Sequence, residues 1–207
     1  MCNRVLVLAP HTDDEIMMAG TIAKFDDEGC EIYYSSFSFA EQSIPDGFPI
    51  DATRKEVQRS TLILGIPYDN LILLSYKVRQ FEYARQDILD DMISLRNHVK
   101  PDLVLMPSSF DTHQDHKVIY QEGFRAFKKS NIMGYELPSN NISFRVDAFM
   151  SLTLADLNRK LECANSYKSQ VNKKKNHIQS LISLAKVRGH QIDTNYAEAF
   201  EMIRFII

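Results

Sequence analysis

The sequence predicts an α/β fold, a three-layer sandwich in which a mostly parallel sheet carries helices on both faces. Two observations point there. Short apolar runs alternate with segments of helical period up to about residue 130, the pattern of repeated strand–helix–strand units. The runs are apolar throughout rather than at every second residue, as strands covered on both faces must be.

Val5 to Ala9 is the first strand. Ile16 to Asp27 places Ile16, Ala19, Ile22 and Ala23 on one helical face and closes at Gly29, a residue free to take the left-handed conformation of a helix C-terminus. Glu31 to Phe39, rich in Tyr and Phe, is the second strand, and Asp51 to Leu64 a helix stopped by Gly65-Ile66-Pro67. Asn70 to Leu74 is the third strand. Glu82 to His98 gathers Ile88, Leu89, Met92, Ile93 and Leu95 on one face. Pro101 leads into the fourth strand, Asp102 to Met106, which ends at Pro107, and a helix runs from Thr112 to Lys128. Short strands at Met133 to Glu136 and Ile142 to Val146, helices at Leu154 to Lys168 and Ile178 to Val187, and a final segment from Ala197 to Ile206 complete the chain.

The chain has 207 residues without an internal repeat, low-complexity tract or linker, so residues 1–207 are expected to form a single domain. Its 44% apolar and 25% charged residues are those of an ordinary soluble protein. A net charge of −3 gives no electrostatic case for a nucleic-acid partner or an anionic membrane surface. The one basic run, Lys173 to Lys175, reads as a solvated loop or helix end. Cys2, Cys30 and Cys163 are odd in number, widely spaced and without a CxxC. That excludes a disulfide framework and a cysteine zinc site, and suits free thiols in a reducing compartment. No apolar run approaches the roughly 20 residues of a membrane span. The expectation is a cytoplasmic protein with no membrane span; a homo-oligomer is compatible with everything above.

In parallel sheets ligands sit beyond the carboxyl ends of the strands. Two loops in that position carry unusual chemistry: Ala9-Pro10-His11-Thr12-Asp13-Asp14-Glu15 after the first strand and Pro107-Ser108-Ser109-Phe110-Asp111-Thr112-His113 after the fourth. A zinc hydrolase needs about three His or carboxylate ligands with one position left open, an acid to take the proton of the attacking water, and a donor for the oxyanion. His11, Asp13 and Asp14 come from the first loop; His113 and His116, three apart and so on one helical face, come from the second. Either loop alone has a plainer explanation, since acids at a helix start favour its dipole. Together, after two buried strands of one sheet, they indicate a metal site. His98 ends a helix, His177 and His190 lie in polar surroundings, and Met17 and Met18 suit helix packing. Tyr76, Lys77, Arg79 and Phe81 follow the third strand and are candidates for the pocket wall. Glu15 reads either as a supporting acid or as a first-turn helix acid.

The first loop resembles the (A/P)HPDDE motif of the PIG-L/LmbE-like family of zinc-dependent N-acetylglucosamine deacetylases, and His113-Gln114-Asp115-His116 is similar to that family's HPDH motif. Arg54 and Glu56 resemble its R-x-E, Tyr167-Lys168-Ser169-Gln170 its Y-x-SQ, and Tyr196 to Phe200 its terminal YAEAF, so the likeness covers nearly the whole chain. It departs at Thr12 and Gln114, where the family has Pro, and in a glycine-rich segment reduced here to Ala19-Gly20. The resemblance implies a Rossmann-like sandwich and hydrolysis of an N-acetyl amino sugar. It also implies Zn²⁺, one per chain (Fe²⁺ or Co²⁺ being alternatives), held by His11, Asp14 and His116. Asp13 would be the general base, His113 the donor to the oxyanion or leaving amine, Asp115 the carboxylate orienting His113, and Arg54 the contact to a substrate hydroxyl or phosphate. Two other readings stand beside this one. A metal-dependent amidohydrolase or phosphoesterase would keep the metal and change the bond. A non-catalytic nucleotide-binding module would keep only the scaffold, and the absence of a GxG, a Walker loop or a GxSxG elbow speaks against it.

Overall fold

A computed structural model describes residues 3–171 and 177–206; the Lys173–Lys175 run and Cys2 lie outside the described residues. Among the described residues seven strands form one sheet: β1 (Arg4–His11), β2 (Glu31–Ser38), β3 (Leu71–Leu73), β4 (Leu103–Pro107), β5 (Asn131–Tyr135), β6 (Ala148–Leu152) and β7 (Tyr196–Arg204), in the order β3-β2-β1-β4-β5-β7-β6. The first five strands pair in parallel, whereas β7 runs antiparallel to both β5 and β6. The strand order turns back at β1 and β4, so a crevice opens beyond their carboxyl ends.

Among the described residues the α-helices are α1 (Ala19–Asp27), α2 (Ala52–Ile63), α3 (Arg85–Val99), α4 (Gln114–Ala126), α5 (Leu154–Ser166), α6 (Lys168–Val171) and α7 (His177–His190). Pleating sends successive side chains of β1 to opposite faces. Val5, Val7 and Ala9 enter a core that includes Ile22 of α1, Val57 of α2, Cys163 of α5 and Leu181 of α7. Leu6 and Leu8 enter a second core with Ile88 and Met92 of α3 and Ile119 of α4. The predicted three layers are therefore present, and β1 belongs to both cores.

Two expectations need correction. The residues from Ile142 to Val146 form no strand; the strand is β6, displaced toward the C-terminus because its position is set by antiparallel pairing with Tyr196 to Phe200. The helix expected from Ile16 starts instead as a 3₁₀ turn, Asp14–Met18, before α1. Cys163 is buried and forms no disulfide among the described residues, while Cys30 is half-buried. Among the described residues no helix is long and apolar enough to cross a membrane.

Candidate metal centre

The two loops meet at the crevice. His11 is the last residue of β1, and Asp14 begins the 3₁₀ turn after it. The Asp14 carboxylate folds back to accept the His11 backbone N–H at 2.8 Å. From the other side, His113 sits just before α4 with an extended backbone, and its Nδ1 accepts the Asp115 N–H at 3.2 Å, capping the helix. His116 lies in the first turn of α4 and is 1% exposed. The shared helical face read from the spacing is thus only half right: one imidazole caps α4 and the other projects from its first turn.

Three donor atoms converge. His11 Nδ1 and His116 Nε2 are 3.3 Å apart, and Asp14 Oδ2 lies 3.8 Å from the first and 3.6 Å from the second. A tetrahedral ion with bonds of about 2.0–2.1 Å would separate its ligands by roughly 3.3–3.5 Å. These residues fit such an ion with small adjustments. The three imidazoles of His11, His113 and His116 also offer nitrogens within 4.8 Å of one another. The choice of third ligand therefore lies between Asp14 and His113.

The far nitrogen of each facing imidazole meets a carboxylate. His11 Nε2 lies 3.0 Å from Asp115 Oδ2, and His116 Nδ1 lies 2.8 Å from Asp111 Oδ2. Such partners fix the tautomer, so that the near nitrogen keeps its lone pair for a cation. This corrects the expected role of Asp115: its carboxylate orients His11, and only its backbone N–H reaches His113. The reason is geometric, since a side chain on the first turn of α4 points back across the crevice toward β1. Asp115 also accepts the backbone N–H of Arg79 at 2.7 Å. Burial opposes its ionisation, but the bonds from His11 and Arg79 hold its pKa below the usual carboxylate range. Arg79 adopts a left-handed φ of 65° to present that N–H.

Charge in the crevice is finely divided. Burial pushes the Asp14 carboxyl above its ordinary pKa, against the pull of His116 and His11. Burial also disfavours protonated His116, yet Asp14 and Asp111 outweigh it and raise the imidazole's pKa. His113 is lowered to about 4, first by burial and then by the two neighbouring imidazoles. A neutral His113 whose Nδ1 accepts from Asp115 carries its proton on Nε2, where it is a hydrogen-bond donor.

A cavity of about 170 Å³ covers the cluster, lined by His11, Asp13, Asp14, His113 and His116 together with Tyr167, Gln170 and Asn140 among others. His177, partly buried at the start of α7, is also on this wall. Arg54 is not: it is exposed on α2, with its guanidinium 5.4 Å from the centroid of Phe39. Of the residues after β3, Phe81 packs its ring against His11 and Arg79 supports Asp115, whereas Tyr76 and Lys77 line a separate groove with Ser38 to Gln42.

The remaining motif residues hold the loops. Glu15, completely buried, accepts from the hydroxyls of Ser60, Tyr34 and Tyr167, and burial above all raises its pKa to about 8. Tyr167 also donates to the Thr12 carbonyl. Glu56 accepts the N–H and hydroxyl of Ser169 at 2.8 and 2.6 Å, joining the R-x-E and Y-x-SQ segments. Glu198 accepts from the first N–H groups of α1, at Gly20 and Thr21, and from buried Lys160, a structural part. Sequence reading missed Asp111 and the grip of Glu201 on Ser109, whose N–H and hydroxyl donate to it at 2.7 and 2.6 Å. Asp111 had one signal, an acid five residues before His116 in a loop already suspect.

A parallel-sheet sandwich with imidazole and carboxylate donors converging at its switch point defines a candidate metal-binding protein of the α/β class. A family model described as PIG-L, GlcNAc-PI de-N-acetylase, matches residues 6–127, and the chain belongs to that family. It is 28% identical over 150 residues to the diacetylchitobiose deacetylase of Thermococcus kodakarensis (strain ATCC BAA-918 / JCM 12380 / KOD1), an alignment covering 68% of this chain and 53% of that protein. The chain thus spans about half the length of that curated relative. Among solved structures, the N,N'-diacetylchitobiose deacetylase of Pyrococcus horikoshii superposes with a TM-score of 0.79 at 22% identity, over 97% of this chain and 83% of that one. The A40926 pseudoaglycone deacetylase Dbv21 gives 0.81 at 18% identity, over 99% of each chain. The 4-carboxy-2-hydroxymuconate hydratase GalB of Pseudomonas putida KT2440 gives 0.77 at 19%, over 99% and 98%. At these identities the structural likeness establishes the fold; a hydratase among the matches means that the reaction must be argued from the site.

Proposed function

We propose that this chain is a metal-dependent N-deacetylase that hydrolyses the amide of an N-acetyl amino sugar, an N-acetylglucosamine-type glycoside or conjugate, to acetate and a free amine, with residues 1–207 acting as one domain. The observation that carries the reading is the set of facing donors, 3.3–3.8 Å apart, on one cavity wall with a further acid and a further imidazole. Membership of a family described by de-N-acetylation and the curated deacetylase relative support the same reaction.

We assign His11, Asp14 and His116 to the cation, Zn²⁺ by preference, with Fe²⁺ or Co²⁺ suited to the same donors. Asp14 is preferred to His113 as third ligand because one oxygen, Oδ2, faces both imidazoles. A divalent ion there would supply Lewis acidity, lowering the pKa of a water and polarising the amide carbonyl. Asp13 takes the proton of the attacking water. His113, a donor through Nε2, stabilises the oxyanion or passes a proton to the leaving nitrogen. Asp115 and Asp111 hold the ligand imidazoles in register. Arg54 is given no part, since its guanidinium rests on Phe39. Buried Cys163, in no disulfide among the described residues, suits a reducing compartment, and the cytoplasm is the proposed location.

The test is acetate release by the Zn²⁺-loaded protein from N-acetylglucosamine, its β-glycosides and nucleotide-linked N-acetylhexosamines, with phosphate esters and an enol-acid hydration assay run in parallel. Acetate with stoichiometric amine is expected. Turnover of a phosphate ester or hydration without acetate would replace the reading.

A further inference from the structure

We propose that Tyr135 is a positioning residue of the metal centre, its hydroxyl donating to Oδ1 of the Asp14 carboxylate while Oδ2 serves the cation. The inference rests on the assignment of Asp14 as third ligand and adds a group that holds it. Tyr135 is the last residue of β5, opposite Pro107 of β4 and Phe200 of β7. It therefore stands at the carboxyl end of the sheet, beside the start of the loop that carries Asp111 and His113. Its side chain belongs to the same core as Ala9, Ile16 and Tyr167, and Ile16 and Tyr167 in turn line the metal-site cavity. It is 1% exposed, yet its hydroxyl finds no hydrogen-bond partner among the described residues. Tyr34 and Tyr167, equally buried in this core, both donate to Glu15 and to carbonyls of the first loop. An unpaired buried hydroxyl costs free energy, which asks what it is kept for.

The neighbouring acids select the partner. Burial first, then the carboxylates of Asp14, Asp111, Asp13 and Glu15, hold the phenol's pKa well above its ordinary value. It keeps its proton, and toward a carboxylate it can only donate. Glu15 is already supplied on both oxygens, by Ser60 and Tyr167 on Oε1 and by Tyr34 on Oε2. So is Asp111, whose Oδ1 accepts the His113 N–H while Oδ2 meets His116 and Asn140. Asp13 is half-exposed on the cavity wall, whereas the hydroxyl is shut off from the surface. Asp14 remains. It is buried, and its contacts among the described residues, the His11 N–H and both imidazoles, all run through Oδ2. Oδ1 is the acceptor left over. A donor there would fix the plane of the carboxylate and keep the oxygen that faces both imidazoles for the cation, as the outer partners of metal ligands do.

The experiment measures Zn²⁺ affinity by chelator competition, and thermal melting of the chelated protein, for wild type and Tyr135→Phe. The substitution removes one oxygen and keeps the ring, so the metal-free protein should melt at the wild-type temperature or slightly above it. Its Zn²⁺ dissociation constant should rise about 10–100-fold, the usual cost of losing an outer partner. A tyrosine with a structural role alone would show the opposite pattern, a lower melting temperature with the affinity intact, and that result would overturn the proposal. The loss should persist in an Asp111→Asn background, because Asp111 serves His116 and not Asp14. Its disappearance there would give the hydroxyl to Asp111 and overturn the assignment. Unchanged affinity with a displaced pH profile of kcat would give it to Asp13, with the same consequence. In each of these cases wild type still binds Zn²⁺ and the metal centre stands. Wild-type protein that bound no Zn²⁺ would overturn the ligand assignment along with the proposal.

Discussion

Asp13, Asp14 and Glu15 are three successive acids with three different surroundings. Asp13 is half-exposed on the cavity wall at φ −104°, ψ 6°; Asp14 is buried and turned toward His11 and His116; Glu15 points away into the core. Losing a general base typically costs about 10²–10⁴-fold in rate. Asp13→Asn should therefore keep its metal and lose most turnover, whereas Asp14→Asn should lose metal as well; elemental analysis beside kcat separates them, and the reverse pattern would exchange the roles. Glu15 yields a pH prediction. Its carboxyl ordinarily titrates at 4.5 and is raised to about 8, chiefly by burial. Between those values the folded state holds a proton that the unfolded state has released. The stability Glu15 contributes is therefore whole below pH 4.5 and is lost as pH rises through about 8. The slope is at most roughly 1.4 kcal/mol per pH unit. In urea unfolding of the metal-free protein at pH 5 to 8, Glu15→Gln should show a shallower fall than wild type. Parallel curves would mean that Glu15 is ionised in its hydroxyl cage.

Among the elements, β5 fits closely against the loop that leaves β4. A Cβ on Gly134 would stand 2.7 Å from Ser108 Cα, a backbone atom that no rotamer change can move. Gly134→Ala should thus cost about 1–3 kcal/mol, the usual range for overpacking. It should also weaken metal binding, because residues 108–113 carry Asp111 and His113; thermal melts with and without metal would show both effects. A neutral substitution would mean that the loop slides freely. The same region shows where pattern reading works. β1 and β4 were legible because both their faces are buried, so their apolar runs are unbroken. β6 was not: Ile142 and Val146 look like strand residues, yet Ile142 is 95% exposed and the pairing that defines β6 comes from β7, some fifty residues away. Nor does spacing alone reveal that Asp115 reaches across to His11, because that contact depends on how closely α4 approaches β1.

At the scale of the molecule, the donors belong to loops about a hundred residues apart in sequence, His11 and Asp14 on one side of the strand-order reversal and His116 on the other. Their chemistry was readable as two motifs, since an imidazole and clustered acids at the end of a buried strand have few structural uses. An ion held by all three would bind the folded state alone and stabilise it by mass action, by about 2.7 kcal/mol at one hundred times its dissociation constant. For a chain of this length each kcal/mol moves the melting temperature by roughly 2–4 °C. Saturating Zn²⁺ should therefore raise it by about 5–11 °C over the chelated protein under those conditions. The gain should shrink as pH falls. Asp14 and Asp111 raise the pKa of His116, and a protonated imidazole has no lone pair to give, so binding must release that proton. His116→Ala should melt at one temperature with or without metal. If it kept the full rise, the ion would be held elsewhere, by His11 and His113 first among the remaining candidates.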